Sequence, residues 1–172
     1  MATAAAPEVR RRVERLGRIW KEPSGIVGWL TTTDHKRIGI LYFFTSLAFF
    51  AAGGVEAILI RTQLLGPNQD VLSPNAFNEA MTMHGVTMIF LFVIPMSTGA
   101  FGNYLLPLMI GARDMAFPRM NALSFWIYVA SGIFMYAGLA MGSAPDAGWF
   151  DYVPLASKDF SPGPNIDFYA LG

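Results

Sequence analysis

Residues 81–110 form a run of 30 residues without a single Lys, Arg, Asp or Glu, and this run restricts the fold more than any other feature. As a helix it would be about 45 Å long, which exceeds the ~30 Å hydrocarbon thickness of a bilayer, so we expect a tilt, or a kink near Pro95 or Pro107. Residues 38–60 hold one charge, Glu56, and residues 120–141 hold none. Apolar runs of ~18 residues or more favour membrane spans over buried helices of soluble proteins. Charged residues make up only 14% of the chain, which agrees with three spans.

The basic residues predict the orientation of these spans. The second connection, residues 111–119, holds Arg113 and Arg119, whereas the first, 61–80, holds only Arg61 and the stretch after the third span only Lys158. We therefore expect the N-terminus and the second connection in the cytoplasm, and the first connection and the tail from Gly142 outside. The basic residues before the first span are Arg10, Arg11, Arg12, Arg15, Arg18, Lys21, Lys36 and Arg37.

The N-terminal arm, residues 1–37, lacks an apolar core of signal-peptide length, so no cleaved signal is expected. Its segment PEVRRRVERLGRIWKE places Val9, Val13, Leu16 and Trp20 on one helical face with arginines around it. Such a helix suits an anionic membrane surface, and a solvated basic arm is the alternative. A net charge of zero suggests no nucleic-acid partner, and the absence of cysteine excludes disulfides and iron–sulfur clusters.

His84 stands alone in the apolar segment MTMHGVTMIF, and an ionisable group inside a span needs a partner. It either hydrogen-bonds a neighbouring helix or serves as an axial haem ligand, and Gly85 would let a flat macrocycle approach the backbone. Arg61 follows the first span on the outer side, where His84 is also expected, so the two residues would lie at a similar depth. The alternative is that Arg61 is an interface anchor whose side chain snorkels to the membrane surface. Glu56 needs a partner or a proton, and the sequence does not decide between them.

A second group of polar residues lies at the cytoplasmic ends of the second and third spans. Asn103 lies within the second span, Asp114 in the connection, and Asn121 and Ser124 at the start of the third span. Helix capping and loop solvation would account for them. The functional interpretation is a water-filled mouth that passes protons inward from the cytoplasm.

These features, taken in order, resemble subunit I of the haem–copper oxidases, particularly cytochrome c oxidase of the aa3 and caa3 kinds. The similarity covers the chain from about Trp29 to its end. It implies an all-α integral membrane protein whose three spans and the start of a fourth form part of a roughly twelve-helix bundle, residues 38–172 being the N-terminal portion of that domain. The matching segments are TTTDHKRIGILY, LIRTQL, MHGVTMIF, GNYLLPLMIGARDMAFPRMNALSFW, GWFDYVPL and SPGPNIDF.

The resemblance implies a role for each matching residue. His84 corresponds to a ligand of the low-spin haem, haem a, Arg61 to the arginine that hydrogen-bonds its formyl group, and Trp149 to a tryptophan beside a haem propionate. Asp114 corresponds to the entrance of the proton pathway called the D channel. The residues corresponding to the lining of that channel are Tyr42, Asn103, Asn121 and Ser124. Gln63 replaces a glutamate that helps to bind calcium or sodium in some members, so that metal site is not expected.

The number of histidines limits what the chain does alone. The family needs two histidines for the low-spin haem and three for copper, whereas this chain has only His35 and His84, expected near opposite membrane faces. We therefore expect an N-terminal piece whose missing ligands, including those of the high-spin haem and copper, lie on later helices. The isolated chain should bind no haem and reduce no oxygen.

The chain is expected to be part of a terminal oxidase of a bacterial plasma membrane. This oxidase would reduce oxygen with electrons from cytochrome c and pump protons, and it would also contain subunits II and III. One alternative is a quinol oxidase. Related quinol oxidases carry an arginine, an acid and a histidine where this chain has Ala52, Glu56 and Ala76, so only the acid is kept and cytochrome c is favoured. The other alternative is a non-catalytic membrane module, for example an assembly or split partner.

Overall fold

The computed structural model describes residues 7–19 and 25–172, and within them the regular structure is entirely helical. The chain divides into two compact units, residues 1–32 and 33–172. The first contains the helices α1 (Pro7–Ile19) and α2 (Gly25–Leu30). The predicted arm helix is present as α1, although Trp20 lies outside the described residues and α2 was not predicted.

The second unit holds three helical rods long and apolar enough to cross a membrane, as the sequence predicted. The first rod, α3, runs over His35–Gln63, slightly beyond the predicted residues 38–60. The N-cap of this rod is Asp34, whose side-chain oxygen accepts a hydrogen bond from the Lys36 N–H at 2.8 Å. Large apolar side chains remain exposed along this rod, for example Phe44 and Ile58, as expected of a helix that faces lipid.

The second rod runs over Pro74–Met109 and changes its helical type on the way. Its α-helical ends, α4 (Pro74–Val86) and α5 (Asn103–Met109), flank two π-helical segments, Thr87–Val93 and Pro95–Gly102. Proline clashes with the preceding turn of an α-helix, and the wider turns around Pro95 relieve that clash. The wider turns begin at Thr87, before Pro95, whereas Pro107 lies within α5.

The third rod, α6 (Pro118–Ala140), agrees with the predicted residues 120–141. After it the chain forms a segment of turns and bends, residues 141–164, and then α7 (Asn165–Leu171). That segment is tied to the second rod by the Gly148 N–H, which donates to the Thr82 hydroxyl at 2.9 Å. Within the segment, Asp146 accepts hydrogen bonds from Ser161 at 3.0 Å and from Asn165 at 2.9 Å.

The rods pack closely where a glycine of one faces an aromatic ring of another. A Cβ at Gly99 would lie 2.5 Å from Tyr42 Cδ1, and a Cβ at Gly132 would lie 2.3 Å from Phe49 Cζ. Small residues that let neighbours approach are typical of helix packing in membranes. These contacts fix α3 against the second and third rods and so set the positions of the polar side chains between them.

Candidate functional site

His84 is half-buried near the start of the second rod, and its ring is held by the first. Its Nδ1 lies 2.9 Å from the carbonyl oxygen of Gly53 on α3. A carbonyl oxygen only accepts hydrogen bonds, so Nδ1 carries the hydrogen and the lone pair remains on Nε2. An imidazole fixed through one nitrogen and free at the other has the arrangement of a metal-ligating histidine.

Trp149 packs against Gly85, the residue that follows His84. A Cβ at Gly85 would lie 3.4 Å from both Cβ and Cδ1 of Trp149, so the indole side chain packs directly against this glycine. The carbonyl oxygen of Trp149 accepts a hydrogen bond from the Tyr169 hydroxyl at 2.6 Å. Gly85 therefore lets the Trp149 side chain approach the backbone of the second rod.

A buried carboxyl group lies one helical turn from the His84 contact. Glu56 is 7% exposed, and its Oε1 accepts a hydrogen bond from the Tyr136 hydroxyl at 3.0 Å. Because that hydroxyl has one hydrogen, the Thr87 hydroxyl donates to it in turn, at 2.9 Å. Glu56 follows Gly53 by three residues and Thr87 follows His84 by three, so each pair shares a helix face.

The partner of Glu56 was not anticipated from the sequence. The available signal was Tyr136, a phenol that needs a partner inside the third span, but nothing local connects it to α3. The second carboxylate oxygen of Glu56, Oε2, is buried and has no partner among the described residues.

Arg61 lies in the last turn of α3 and is exposed. With Ala57, Ile58, Thr62 and Leu65 it lines a shallow, largely apolar cavity of about 240 Å³. Within the described part of the chain no hydrogen bond or ion pair joins Arg61 to His84. Its placement is compatible with both the snorkelling and the haem-binding interpretation.

Tyr42, Ser124 and Asn121 form one hydrogen-bonded group between the first and third rods. The Ser124 hydroxyl donates to the Asn121 carbonyl oxygen at 2.7 Å, so the Tyr42 hydroxyl, 3.1 Å from Ser124 Oγ, donates to Ser124. Tyr42 is buried and stacks on Tyr128, with ring centroids 5.3 Å apart. Three of the residues predicted to line a proton pathway are therefore in contact.

Asn103 is 6% exposed and connects to α3 through a histidine that the sequence did not identify as a contact. His35, 1% exposed, donates from Nδ1 to the Asn103 carbonyl oxygen at 2.8 Å, and the Asn103 amide donates to Gly99 O at 2.7 Å. His35 is the first residue of α3, whereas Gly53, the partner of His84, lies 18 residues further along this helix, or about 27 Å away. The two histidines lie too far apart to clamp one iron.

Two amide atoms in this region are buried and have no protein partner among the described residues: the acceptor Oδ1 of Asn103 and the donor Nδ2 of Asn121. Buried polar atoms of this kind are normally satisfied by ordered water. Asp114 lies half-buried in the following loop, where its Oδ1 accepts from the Met115 N–H at 2.7 Å. No hydrogen bond links Asp114 to the amide cluster within the described residues.

Sequence comparison places this arrangement among known proteins. Residues 37–172 match the family described as cytochrome c and quinol oxidase polypeptide I. Cytochrome c oxidase subunit 1 of Alkalihalophilus pseudofirmus is 49% identical over 88% of this chain and 24% of that protein. Putative cytochrome c oxidase subunit 1-beta of Streptomyces avermitilis is 44% identical over 99% of this chain and 29% of its own length. Quinol oxidase subunit 1 of Bacillus subtilis is 42% identical over 90% of this chain and 23% of its own length.

The chain spans about a quarter of the length of these relatives. The matched residues include the first rod from Arg37 onwards, the second and third rods, and the segment of turns after α6. The resemblance expected from the sequence is confirmed at this level: the chain is a membrane protein that belongs to the cytochrome c and quinol oxidase polypeptide I family.

Proposed function

We propose that this chain is the N-terminal part of the catalytic subunit of a terminal oxidase, which reduces oxygen to water with electrons from cytochrome c and pumps protons. The observation that carries the proposal is His84, whose Nδ1 is bonded to Gly53 O while Nε2 remains free. Family membership supplies the chemistry, and the tautomer of this imidazole fits it.

In this proposal His84 Nε2 holds the iron of a low-spin haem, haem a, which when bound transfers one electron at a time. The Gly53 carbonyl orients the imidazole and strengthens its basicity through the Nδ1–H bond. Arg61 would hydrogen-bond the formyl group, and Trp149, which packs against Gly85, would contact a propionate. The second axial histidine, the high-spin haem and copper would be held by parts of the subunit for which this chain has no counterpart.

The polar residues between the rods would pass protons inward from the cytoplasm. We propose that Asp114 collects protons at the cytoplasmic mouth and that Asn103, Asn121, Ser124 and Tyr42 line the path. The unpartnered Asn103 Oδ1 and Asn121 Nδ2 support this role, because an acceptor and a donor left unpaired can order water between the rods. The Tyr42–Ser124 hydrogen bond continues the polar line into α3.

The proposal includes the location and the partners expected from the sequence. The N-terminus lies on the cytoplasmic side of a bacterial plasma membrane. Subunits II and III accompany this subunit, and cytochrome c delivers electrons through subunit II. The excess of basic residues before the first span and in the second connection supports this orientation.

A quinol oxidase of the same family is the second candidate, and two observations favour it: a quinol oxidase relative at 42% identity and the acid Glu56. Against it, Ala52 and Ala76 stand where related quinol oxidases carry an arginine and a histidine. Turnover of the full-length protein with reduced cytochrome c and with quinol separates the two donors. A non-catalytic membrane module predicts turnover with neither.

Substitution of the two histidines by asparagine tests the haem assignment. The asparagine amide can still donate where histidine Nδ1 donates, to Gly53 O or Asn103 O, but it has no Nε2 to offer iron. In the full-length protein His84→Asn should lose the low-spin haem spectrum, whereas the matched control His35→Asn should keep it. A His84→Asn protein that retained this spectrum and its haem content would overturn the proposal.

A further inference from the structure

Helix α1, Pro7–Ile19, takes no part in the proposed function, and its charged and apolar side chains are unevenly distributed around the helix. It carries five arginines and two glutamates, a net charge of +3. The side chains of residues 8–15 are all exposed. A helix this basic, tethered to a membrane span that begins at His35, has a source of negative charge close by in the lipid headgroups.

The apolar side chains of α1 form a stripe between arginines. Val9 and Val13 are one turn apart and are 50% and 61% exposed. At 3.6 residues per turn, Arg10 and Arg12 flank this stripe at about 60° on either side, while Arg11 points to the opposite face. Arginines beside an apolar stripe can bury their aliphatic stems and reach phosphate with their guanidinium groups, as in helices that lie in the interface of a bilayer.

Helix α2, Gly25–Leu30, adds apolar surface to the same unit. Ile26, Val27 and Leu30 are 78%, 60% and 46% exposed, although the helix contains no charged residue. Ile26 and Leu30 are one turn apart, so they share a face. Exposed apolar side chains just before a membrane span are expected to enter the lipid rather than water.

We propose that α1 lies on the surface of the membrane that the chain spans, with Val9 and Val13 in the acyl boundary and its arginines on anionic lipid headgroups. The partner is the lipid surface and not another protein, because the positive charge surrounds the apolar stripe and α2, which precedes the span in the sequence, presents a second exposed apolar face. This inference is independent of the haem and of the proton pathway.

These 172 residues contain no cysteine, so single labels can be introduced here once any cysteine elsewhere in the full-length protein is replaced by serine. The full-length chain, as Val13→Cys or as the opposite-face control Arg11→Cys, is labelled with a polarity-sensitive fluorophore. Each variant is reconstituted into nanodiscs, which expose both faces, made of phosphatidylcholine alone or with a third of phosphatidylglycerol. Quenching by acrylamide, which is uncharged, reports exposure to water without bias from the lipid charge.

The label at Val13→Cys should become protected in the anionic nanodiscs, with a bound-to-free ratio of α1 higher by at least about tenfold than in phosphatidylcholine. The Arg11→Cys label should stay exposed in both lipids, and about 1 M salt should abolish the protection. Equal exposure of the two labels in anionic nanodiscs would overturn the proposal. Protection of Val13→Cys that is the same in both lipids would also overturn it, because it would indicate docking on protein.

Discussion

Gly99→Ala should destabilise the bundle through one contact, whereas Gly102→Ala on the same π-helical segment should not. A Cβ at Gly99 would lie 2.5–2.8 Å from three ring carbons of Tyr42, closer than real Cβ contacts allow. The nearest atom to a Cβ at Gly102 is Ser97 O at 3.7 Å, an ordinary contact. Tyr42 is buried between Phe125 and Tyr128, so its ring has little room to move.

The size of the effect follows from the difference between the two variants. Both replace glycine by alanine in one helix, so both gain a similar stabilisation of about 0.5–1 kcal/mol from the loss of backbone freedom in the unfolded chain. Only Gly99→Ala adds overpacking, which costs about 1–3 kcal/mol in a well-packed core. The free energy of unfolding should therefore differ between the variants by about 1–3 kcal/mol, with Gly99→Ala the less stable.

Reversible unfolding of the full-length chain in mixed micelles, followed by circular dichroism, measures this difference. A displaced Tyr42 ring should also weaken its 3.1 Å hydrogen bond to Ser124. Unfolding free energies equal within about 0.5 kcal/mol would refute the close contact between α3 and the second rod.

Four further predictions concern individual side chains of the full-length protein. Asp114→Asn keeps an oxygen that can accept from the Met115 N–H but loses the carboxylate charge. Proton uptake in reconstituted vesicles should therefore fall while both haems stay bound, and unchanged pumping would reject the role of Asp114. Asn103→Asp should disturb proton pumping before it disturbs electron transfer. Arg61→Met should lower the reduction potential of the low-spin haem by some tens of millivolts, below an upper range of about 65–130 mV. The visible absorption of that haem should also move to shorter wavelength. An unshifted spectrum would leave Arg61 as an interface anchor. Tyr136→Phe should lower the free energy of unfolding by about 1–3 kcal/mol, because Glu56 Oε1 and the Thr87 hydroxyl lose their partner. A loss no larger than that caused by Thr87→Val would count against the hydrogen bonds that join Glu56, Tyr136 and Thr87.

The pH dependence of stability offers a test outside the spans. Burial raises the pKa of Asp151, whose Oδ1 has no partner among the described residues. A carboxyl with a raised pKa in the folded state stabilises the fold when protonated, and that contribution is lost as pH rises through the folded-state pKa. Asp151→Asn should therefore weaken the fall in stability above the ordinary carboxyl pKa, as measured by thermal unfolding between mildly acid and neutral pH. A steeper fall in the variant would contradict this sign.

The three spans were predictable because apolar length alone identifies them. Their ends were less so: the second rod begins at Pro74, seven residues before the apolar run, because Ser73 caps the helix by accepting from the Ala76 N–H. The π-helical segments were not predictable, since a proline in an apolar run does not determine how the backbone adjusts around it.

The candidate site was predictable in its residues more than in its contacts. His84 was identified because a histidine in an apolar run needs a partner, but the acceptor, Gly53 O, is a backbone atom on another helix. The Glu56–Tyr136 and His35–Asn103 hydrogen bonds join residues 80 and 68 positions apart, which no local pattern reveals. Asp114, expected beside the amide cluster, makes its recorded hydrogen bond within its own loop, and its proposed role remains a prediction.

A density map of the full-length protein with haem bound tests the central claim most directly. The account predicts iron bound to His84 Nε2 while Nδ1 keeps its hydrogen bond to the Gly53 carbonyl oxygen, with His35 still on Asn103 about 27 Å away along α3. A low-spin haem iron held by other side chains, with His84 bonded only to protein, would contradict it.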